Sequence, residues 1–280
     1  MERYKFDCGF GHGRHGLMIW PKADECVGGS LEKYGEYSRV EVDLLCKVVR
    51  EGMTVVDVGA NIGALSVPMG KIVREQGMLI AFEPQFMLNK LLTANLVMND
   101  CWSSQVVRAL VGKEKGVVKV PTYTYKEFNN YGALGIEKWG EDTGVDTPIV
   151  TIDSLGLESC EVMKIDAEGM EKEVIEGAKE TIKRCWPFMF VENDREKGSR
   201  ELIRTIKELG YRMLWFVNLL YAEDNYYQEK ENIFGGQGSF NMVCVPPEGV
   251  MSRMEIHGLR EVQEGDTIGK CSPKDLVLSV

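Results

Sequence analysis

Four apolar runs in this chain each end in groups that could do chemistry. The first, VVDVGANIG at residues 55–63, carries Asp57 and then Gly59, Asn61 and Gly63; the second, AFEP, ends in Glu83. The third, VMKIDAEG, holds Lys164, Asp166 and Glu168, and the fourth, FVEND, ends in Glu192, Asn193 and Asp194. Carboxylates can grip hydroxyl or ammonium groups or accept a proton, and glycines let a ligand approach the backbone closely. Three ligand classes use such a strand and glycine-bearing turn: a nucleoside triphosphate, a nicotinamide dinucleotide and S-adenosylmethionine.

A triphosphate loop needs GxxxxGK[ST], and GANIGALS has no lysine where one is required. A dinucleotide turn prefers GxGxxG, so GxNxG disfavours nicotinamide without excluding it. S-adenosylmethionine has no phosphate and needs close backbone approach plus carboxylates. Asp57 would lie near its cationic part, and Glu83 would accept hydrogen bonds from its ribose hydroxyls. Glu83 would suit NAD equally, and either acid alone could be a turn or capping carboxylate.

The elements that must position these groups alternate in βαβ rhythm. Strands are expected at TVVDV, MLIAFEP, QVVRALV, CEVMKIDAEG, PFMFVEN, YRMLWFV and FNMVCVP. Helices are expected over ALSVPMGKIVREQ, QFMLNKLLTANLVMND, MEKEVIEGAKETIKRC and SRELIRTIKELG, the last capped by Gly210. The inner strands lack a polar face, so helices should cover both sides of a mostly parallel sheet. Residues 1–50 read as an N-terminal extension and 51–247 as one α/β domain. Within that domain, residues 112–150 read as a β-rich insertion and 218–239 as a possible lid; 248–280 are a polar tail.

The chain has 280 residues and a formal net charge of −10, which argues against a bulk nucleic-acid partner. Eight cysteines without a CxxC pair suit reduced thiols in a cytoplasmic protein better than a disulfide framework. No segment approaches a membrane span, and no His, Cys and carboxylate set has metal-site spacing, so a metal-independent reaction is expected. A homo-oligomer is possible.

With these residues in place, the chain resembles the FkbM family of S-adenosylmethionine-dependent methyltransferases from about Gly16 to Pro247. The resemblance rests on YGEYSRVEVDLL, VVDVGANIG, AFEPQ, the helix carrying Asn95 and Asn99, VTIDSLGL and above all KIDAEGMEKEVIEGA. It implies a class I methyltransferase fold, Rossmann-like, with seven strands in order 3-2-1-4-5-7-6 and strand 7 antiparallel. It also implies methyl transfer to a hydroxyl of a small molecule or glycan precursor, releasing S-adenosylhomocysteine. WFVNLLYAEDNYY departs from the family pattern, where a His near Val217 is expected, so acceptor choice can differ.

On this resemblance the cofactor-binding set is Tyr34, Glu36, Asp57, Gly59, Asn61, Gly63, Glu83, Ala109 and Asp166. The catalytic candidates are Asp166, Glu168, Lys164 and Asn193. Each has a plainer alternative. Glu168 and Glu171 could simply favour a helix N-terminus, Lys164 could pair structurally with Asp166, and Glu192 and Asn193 could form a turn. His12, His15 and His257 read most simply as surface residues, although the first two could fold over the cleft. Tyr221, Tyr226, Tyr227 and Phe234 could stack on a substrate or meet a partner. Two other functions stay open: an NAD-dependent oxidoreductase, and a non-catalytic subunit that binds S-adenosylmethionine.

Overall fold

The computed structural model describes residues 7–123, 125, 127, 129–132, 144–247, 259–263 and 266–267. In chain order, a hairpin of β1 (Cys8–Gly13) and β2 (Gly16–Pro21) leads to α1 (Val27–Tyr34) and α2 (Arg39–Val48). Then follow β3 (Thr54–Val58), α3 (Ser66–Val73), β4 (Met78–Phe82), α4 (Phe86–Met98) and β5 (Ser104–Val107). Three short strands come next: β6 (Leu110–Val111), β7 (Gly116–Val120) and β8 (Val145–Val150). The chain continues through β9 (Val162–Ile165), α5 (Glu171–Glu176), α6 (Lys179–Cys185) and β10 (Phe188–Glu192). It closes with α7 (Glu196–Glu208), β11 (Arg212–Leu219) and β12 (Gly238–Val245).

The main sheet has seven strands in the order β5-β4-β3-β9-β10-β12-β11. Counted along the chain within this sheet, that is 3-2-1-4-5-7-6. β12 runs antiparallel to both β10 and β11, while the other pairings are parallel. This is the class I methyltransferase topology that the resemblance implies. Period-2 alternation divides the strands between two cores. Val55, Leu79, Val162, Phe188 and Phe216 pack with α2, α3 and α4 on one face. Val56, Ile80, Met163, Met189 and Trp215 pack with α5, α6 and α7 on the other.

Three expectations change in detail. QVVRALV is not one strand: β5 ends at Val107, and Leu110–Val111 pairs instead with β8, which also pairs with β7. The helix over 170–185 breaks into two at Gly177, where an added Cβ would lie 2.0 Å from the Gly112 carbonyl oxygen. In the tail, the Trp215 amide donates to the Arg260 carbonyl (2.8 Å) and the Val262 amide to the Met213 carbonyl (3.0 Å), covering the edge of β11. Residues 124, 126, 128 and 133–143 of the insertion and most of the tail, His257 included, lie outside the described residues. All seven described cysteines are free, and no described helix is long and apolar enough to cross a membrane.

Two buried amides, Asn95 on α4 and Asn99 at its C-terminal cap, fasten the N-terminal hairpin to the domain. Asn95 accepts from the Ile19 amide (2.8 Å) and donates to the carbonyls of Ile19 (3.0 Å) and Ile62 (2.7 Å). One turn on, Asn99 accepts from the Leu17 amide (3.2 Å) and donates to the Leu17 carbonyl (2.6 Å). The side chains thus extend the β-ladder of β2 where no further strand exists. Asn95→Leu is expected to strand these groups and cost about 3 kcal/mol in denaturant unfolding. Val97→Ala, on an exposed part of the same helix, should change stability by less than about 0.5 kcal/mol.

Candidate functional site

A cavity of about 530 Å³ opens over the C-terminal ends of β3, β4, β9 and β10, the place where open α/β sheets bind ligands. The turn after β3 forms its floor. Gly59 has φ +77°, and a Cβ there would lie 1.7 Å from the Asp166 carbonyl oxygen. The glycine is thus required by the neighbouring chain rather than by a ligand. Gly63 (φ +90°) does not line the cavity; its Cβ would meet Leu92 at 2.8 Å, so it permits packing of the turn on α4. Asn61 lines the cavity in the left-handed conformation (φ +51°).

The amides of this turn are already committed. Gly59 and Ala60 donate to the Phe82 carbonyl (3.0 and 2.9 Å), and Gly63 donates to the Ala60 carbonyl (2.8 Å). The Ile62 amide donates to Asn61 Oδ1 (2.7 Å). The Asn61 amide donates to Glu83 Oε2 (2.9 Å), while Glu83 Oε1 accepts from the Gln85 amide (2.8 Å). Glu83 is buried at the cavity wall, and burial pushes its carboxyl up to about 7 against the opposing effect of these two amides. Ala109 lies beside it and is fully buried.

At the other end, Lys164 penetrates the sheet with only 4% exposure. Its Nζ lies 2.8 Å from the Gly59 carbonyl oxygen, 3.3 Å from Asp57 Oδ1 and 3.4 Å from Asp166 Oδ2. Burial opposes this charge, but the carboxylates of Asp166 and Asp57 outweigh burial and hold the ammonium above its ordinary range. The expected pairing with Asp166 is present, and a second acid, Asp57, joins it. Asp57 is fully buried and does not reach the cavity; its Oδ2 accepts from the Ser66 hydroxyl (2.5 Å). Asp166 is partly exposed and lines the cavity.

Glu168 and Glu171 have separate roles. Glu171 accepts from the amides of Ala167 (3.1 Å) and Gly169 (2.9 Å), fixing the loop before α5. Glu168, in the left-handed conformation (φ +53°), instead lines the cavity and pairs with Arg195 at 2.6 Å. Burial and then the Asp166 charge push its carboxyl up to about 8 despite that guanidinium. Glu192 also lines the cavity, with Oε2 buried, without a hydrogen bond and 3.8 Å from Arg195 Nη1.

Several expected site residues lie elsewhere. Asn193 is buried outside the cavity, where Nδ2 faces Met242 Sδ at 3.4 Å. Tyr34 also lies outside it. Its hydroxyl donates to the Glu231 carbonyl (2.8 Å) and accepts from the Ile233 amide (2.8 Å). Glu36 pairs with Arg14. Tyr34 thereby fastens the N-terminal extension to the 221–234 loop, and Arg14, held by Glu36, donates to the Asp224 carbonyl of that loop (3.3 Å). Tyr226 and Tyr227 meet His12, while Tyr221 and Phe234 pack on the Tyr34 ring. His15 is half-buried with its Nε2 enclosed, and burial, then Arg14, lowers its ring to about 4.

From the extension it is Cys26, Val27 and Tyr37 that reach the cavity, and Gln237 to Phe240 close its far wall. Tyr37 sits in the same YGEY segment as Tyr34, but Gly35 (φ +68°) ends α1 and turns the chain between them. Arg195 went unnoticed although it directly follows the acidic FVEND run. The fold also assembles what linear spacing concealed: among the described residues, carboxylate oxygens of Asp166, Glu168 and Glu192 lie within 4.8 Å of one another, close enough to hold a cation.

Removing the ammonium with Lys164→Met should leave buried Asp57 uncompensated and destabilise the fold by about 3–5 kcal/mol in denaturant unfolding. Adding Asp57→Asn should recover part of that loss, since the stranded charge disappears with it.

The chain matches the family model described as "Methyltransferase FkbM domain" over residues 57–213, more than half its length. A relative named "Methyltransferase sdnD" from Sordaria araneosa is 28% identical over 187 residues, covering 55% of this chain and 71% of that protein. Among solved structures, a methyltransferase FkbM from Methylobacillus flagellatus KT is 15% identical with TM-score 0.45, covering 73% of this chain and 50% of the other. A SAM-dependent O-methyltransferase from Thermotoga maritima is 12% identical with TM-score 0.44, covering 84% and 77%. The family match over residues 57–213, which carry Asp57, Glu83, Asp166, Glu168 and Glu192, places this chain in the FkbM methyltransferase domain family.

Proposed function

We propose that the cavity binds S-adenosylmethionine and that the protein methylates a hydroxyl group of a small molecule or glycan precursor. The commitment of the turn's amides carries the cofactor reading. A dinucleotide site needs free backbone N–H groups for its pyrophosphate. Here the amides of Gly59 to Gly63 are all bonded internally. A phosphate-free ligand fits this turn, and a nicotinamide dinucleotide does not.

The remaining donor set fits the same cofactor. Each Glu83 oxygen already accepts one amide and retains a lone pair for a ribose hydroxyl. Gly59, Asn61, Ala109 and Asp166 complete the cofactor wall, with Asp166 placed to receive the ammonium of the methionine part. Asp57 acts indirectly, by anchoring Lys164. When bound, S-adenosylmethionine supplies a methyl carbon made electrophilic by its sulfonium. The protein's task is to align an acceptor oxygen, exclude water and take up a proton. Glu168, Glu192, Tyr37 and the Gln237 to Phe240 wall are available to the acceptor. Lys164 and Asn193 act as positioning groups, the first through Asp57 and Asp166 and the second through the turn after β10.

The pairing of the acids supports a metal-independent reaction. Lys164 stands beside Asp166 and Arg195 beside Glu168, so protein cations already serve two of the three converging carboxylates. Millimolar magnesium or manganese should therefore leave the melting temperature unchanged; a rise that disappears in Glu168→Gln would reverse this reading. Calorimetry should show binding of S-adenosylmethionine and S-adenosylhomocysteine but not NAD, with Glu83→Ala weakening both adenosyl ligands by about 100-fold, two hydrogen bonds to a charged group. Binding of NAD alone would overturn the proposal.

A further inference from the structure

Glu192 is the cavity carboxylate with the least compensation. Asp166 has Lys164, Glu168 has Arg195, and Glu83 has two backbone amides. Glu192 Oε2 makes no hydrogen bond, and the nearest cation is at 3.8 Å. Its position follows from sheet register: Val191 pairs with Ile165 on β9, which sets Glu192 at the strand end alongside Asp166.

The groups packed around it are predominantly acidic. Asp166 and Glu168 face it from the end of β9, Glu171 from α5, and Asp194 from the link to α7. On β12 its register partner is neutral Asn241, whose amide donates to Glu41 of α2. Lys164 and Arg195 are the cations on this side. Burial first, and then the charge of Asp166, push the Glu192 carboxyl well above the usual carboxylate range.

Resting on the proposed cofactor, we infer that Glu192 carries a proton in the empty cavity, gives it up when the cationic cofactor enters, and thereby becomes the base that receives the acceptor hydroxyl's proton. A positive charge entering this acidic end favours the ionised carboxylate, whereas S-adenosylhomocysteine, with a neutral thioether, lacks that charge. During transfer the acceptor oxygen forms an O–CH₃ bond as the S–CH₃ bond breaks with its electron pair left on sulfur. The hydroxyl proton moves to Glu192, so charge balances without another reactant. The base is thus armed only when the methyl donor is present.

Proton release distinguishes this arrangement from a merely structural Glu192. Titration calorimetry of the full chain at about pH 7, in two buffers of different ionisation enthalpy, should show more protons released with S-adenosylmethionine than with S-adenosylhomocysteine, the difference approaching one. Any proton displaced from Glu83 by the shared ribose appears with both ligands and cancels. The affinity ratio of the two should rise by up to about tenfold per pH unit while Glu192 is protonated in the empty site. In Glu192→Gln the difference and its pH dependence should vanish. Infrared difference spectra of the unsubstituted protein give a second readout: S-adenosylmethionine should remove a protonated-carboxyl band that S-adenosylhomocysteine leaves. Equal release by both ligands, or a difference that survives in Glu192→Gln, would overturn the inference while leaving the cofactor assignment standing. Failure of both ligands to bind would overturn the two together.

Discussion

The site depends on one buried cation. Lys164 holds the ends of β3 and β9 together by bonding the Gly59 carbonyl and facing Asp57 and Asp166. Without it, two carboxylates would confront each other where water is scarce, and both could not remain ionised at little cost. The approach is close enough that Gly59 has no room for a Cβ against Asp166. The turn that forms the cavity floor and the acid at its far end are therefore parts of one electrostatic unit.

Sheet order brings the other groups to that unit. β3 and β9 are adjacent, β4 delivers Glu83 from one side and β10 delivers Glu192 from the other. Because these four strands are parallel, their polar ends converge along one edge. Helices supply only part of the enclosure. The extension contributes Cys26, Val27 and Tyr37, and its attachment through Asn95 and Asn99 keeps them in place. Tyr34 supports the same wall from outside by fastening it to the 221–234 loop, and Glu36 does so through Arg14, which donates to the Asp224 carbonyl.

Local pattern makes some of this legible and leaves the rest hidden. Apolar runs with terminal acids identify the strands and their reactive ends, since a buried parallel strand leaves little choice of residue type. KIDAEG even predicts the Lys164–Asp166 pair, because residues two apart on a strand share a face. What fails is anything decided across the chain. Asp57 and Asp166 share one lysine, and the first is buried against it and Ser66 rather than in the cavity. Tyr34 and Tyr37 are equivalent in the sequence until Gly35 ends the helix between them. The convergence of Asp166, Glu168 and Glu192 comes from two separate strands and has no linear signature. The break in the 170–185 helix falls at Gly177, which packs on the Gly112 carbonyl more than fifty residues earlier.

The remaining question is why so many acids should share one end of a cavity. Asp166, Glu168, Glu192 and Asp194 line it with Asp57 buried behind, and among the described residues Lys164 and Arg195 are the cations paired with them, so full ionisation would leave an excess of negative charge in a partly desolvated space. The protein can reduce that excess by keeping protons or by admitting a cation. A cofactor with a sulfonium and an ammonium group supplies the second route, and its neutral thioether product supplies less of it. An acidic end of this kind therefore favours donor over spent product on charge alone. Its cost to the empty fold is confined to the carboxyls that hold protons, the Glu192 carboxyl foremost among them.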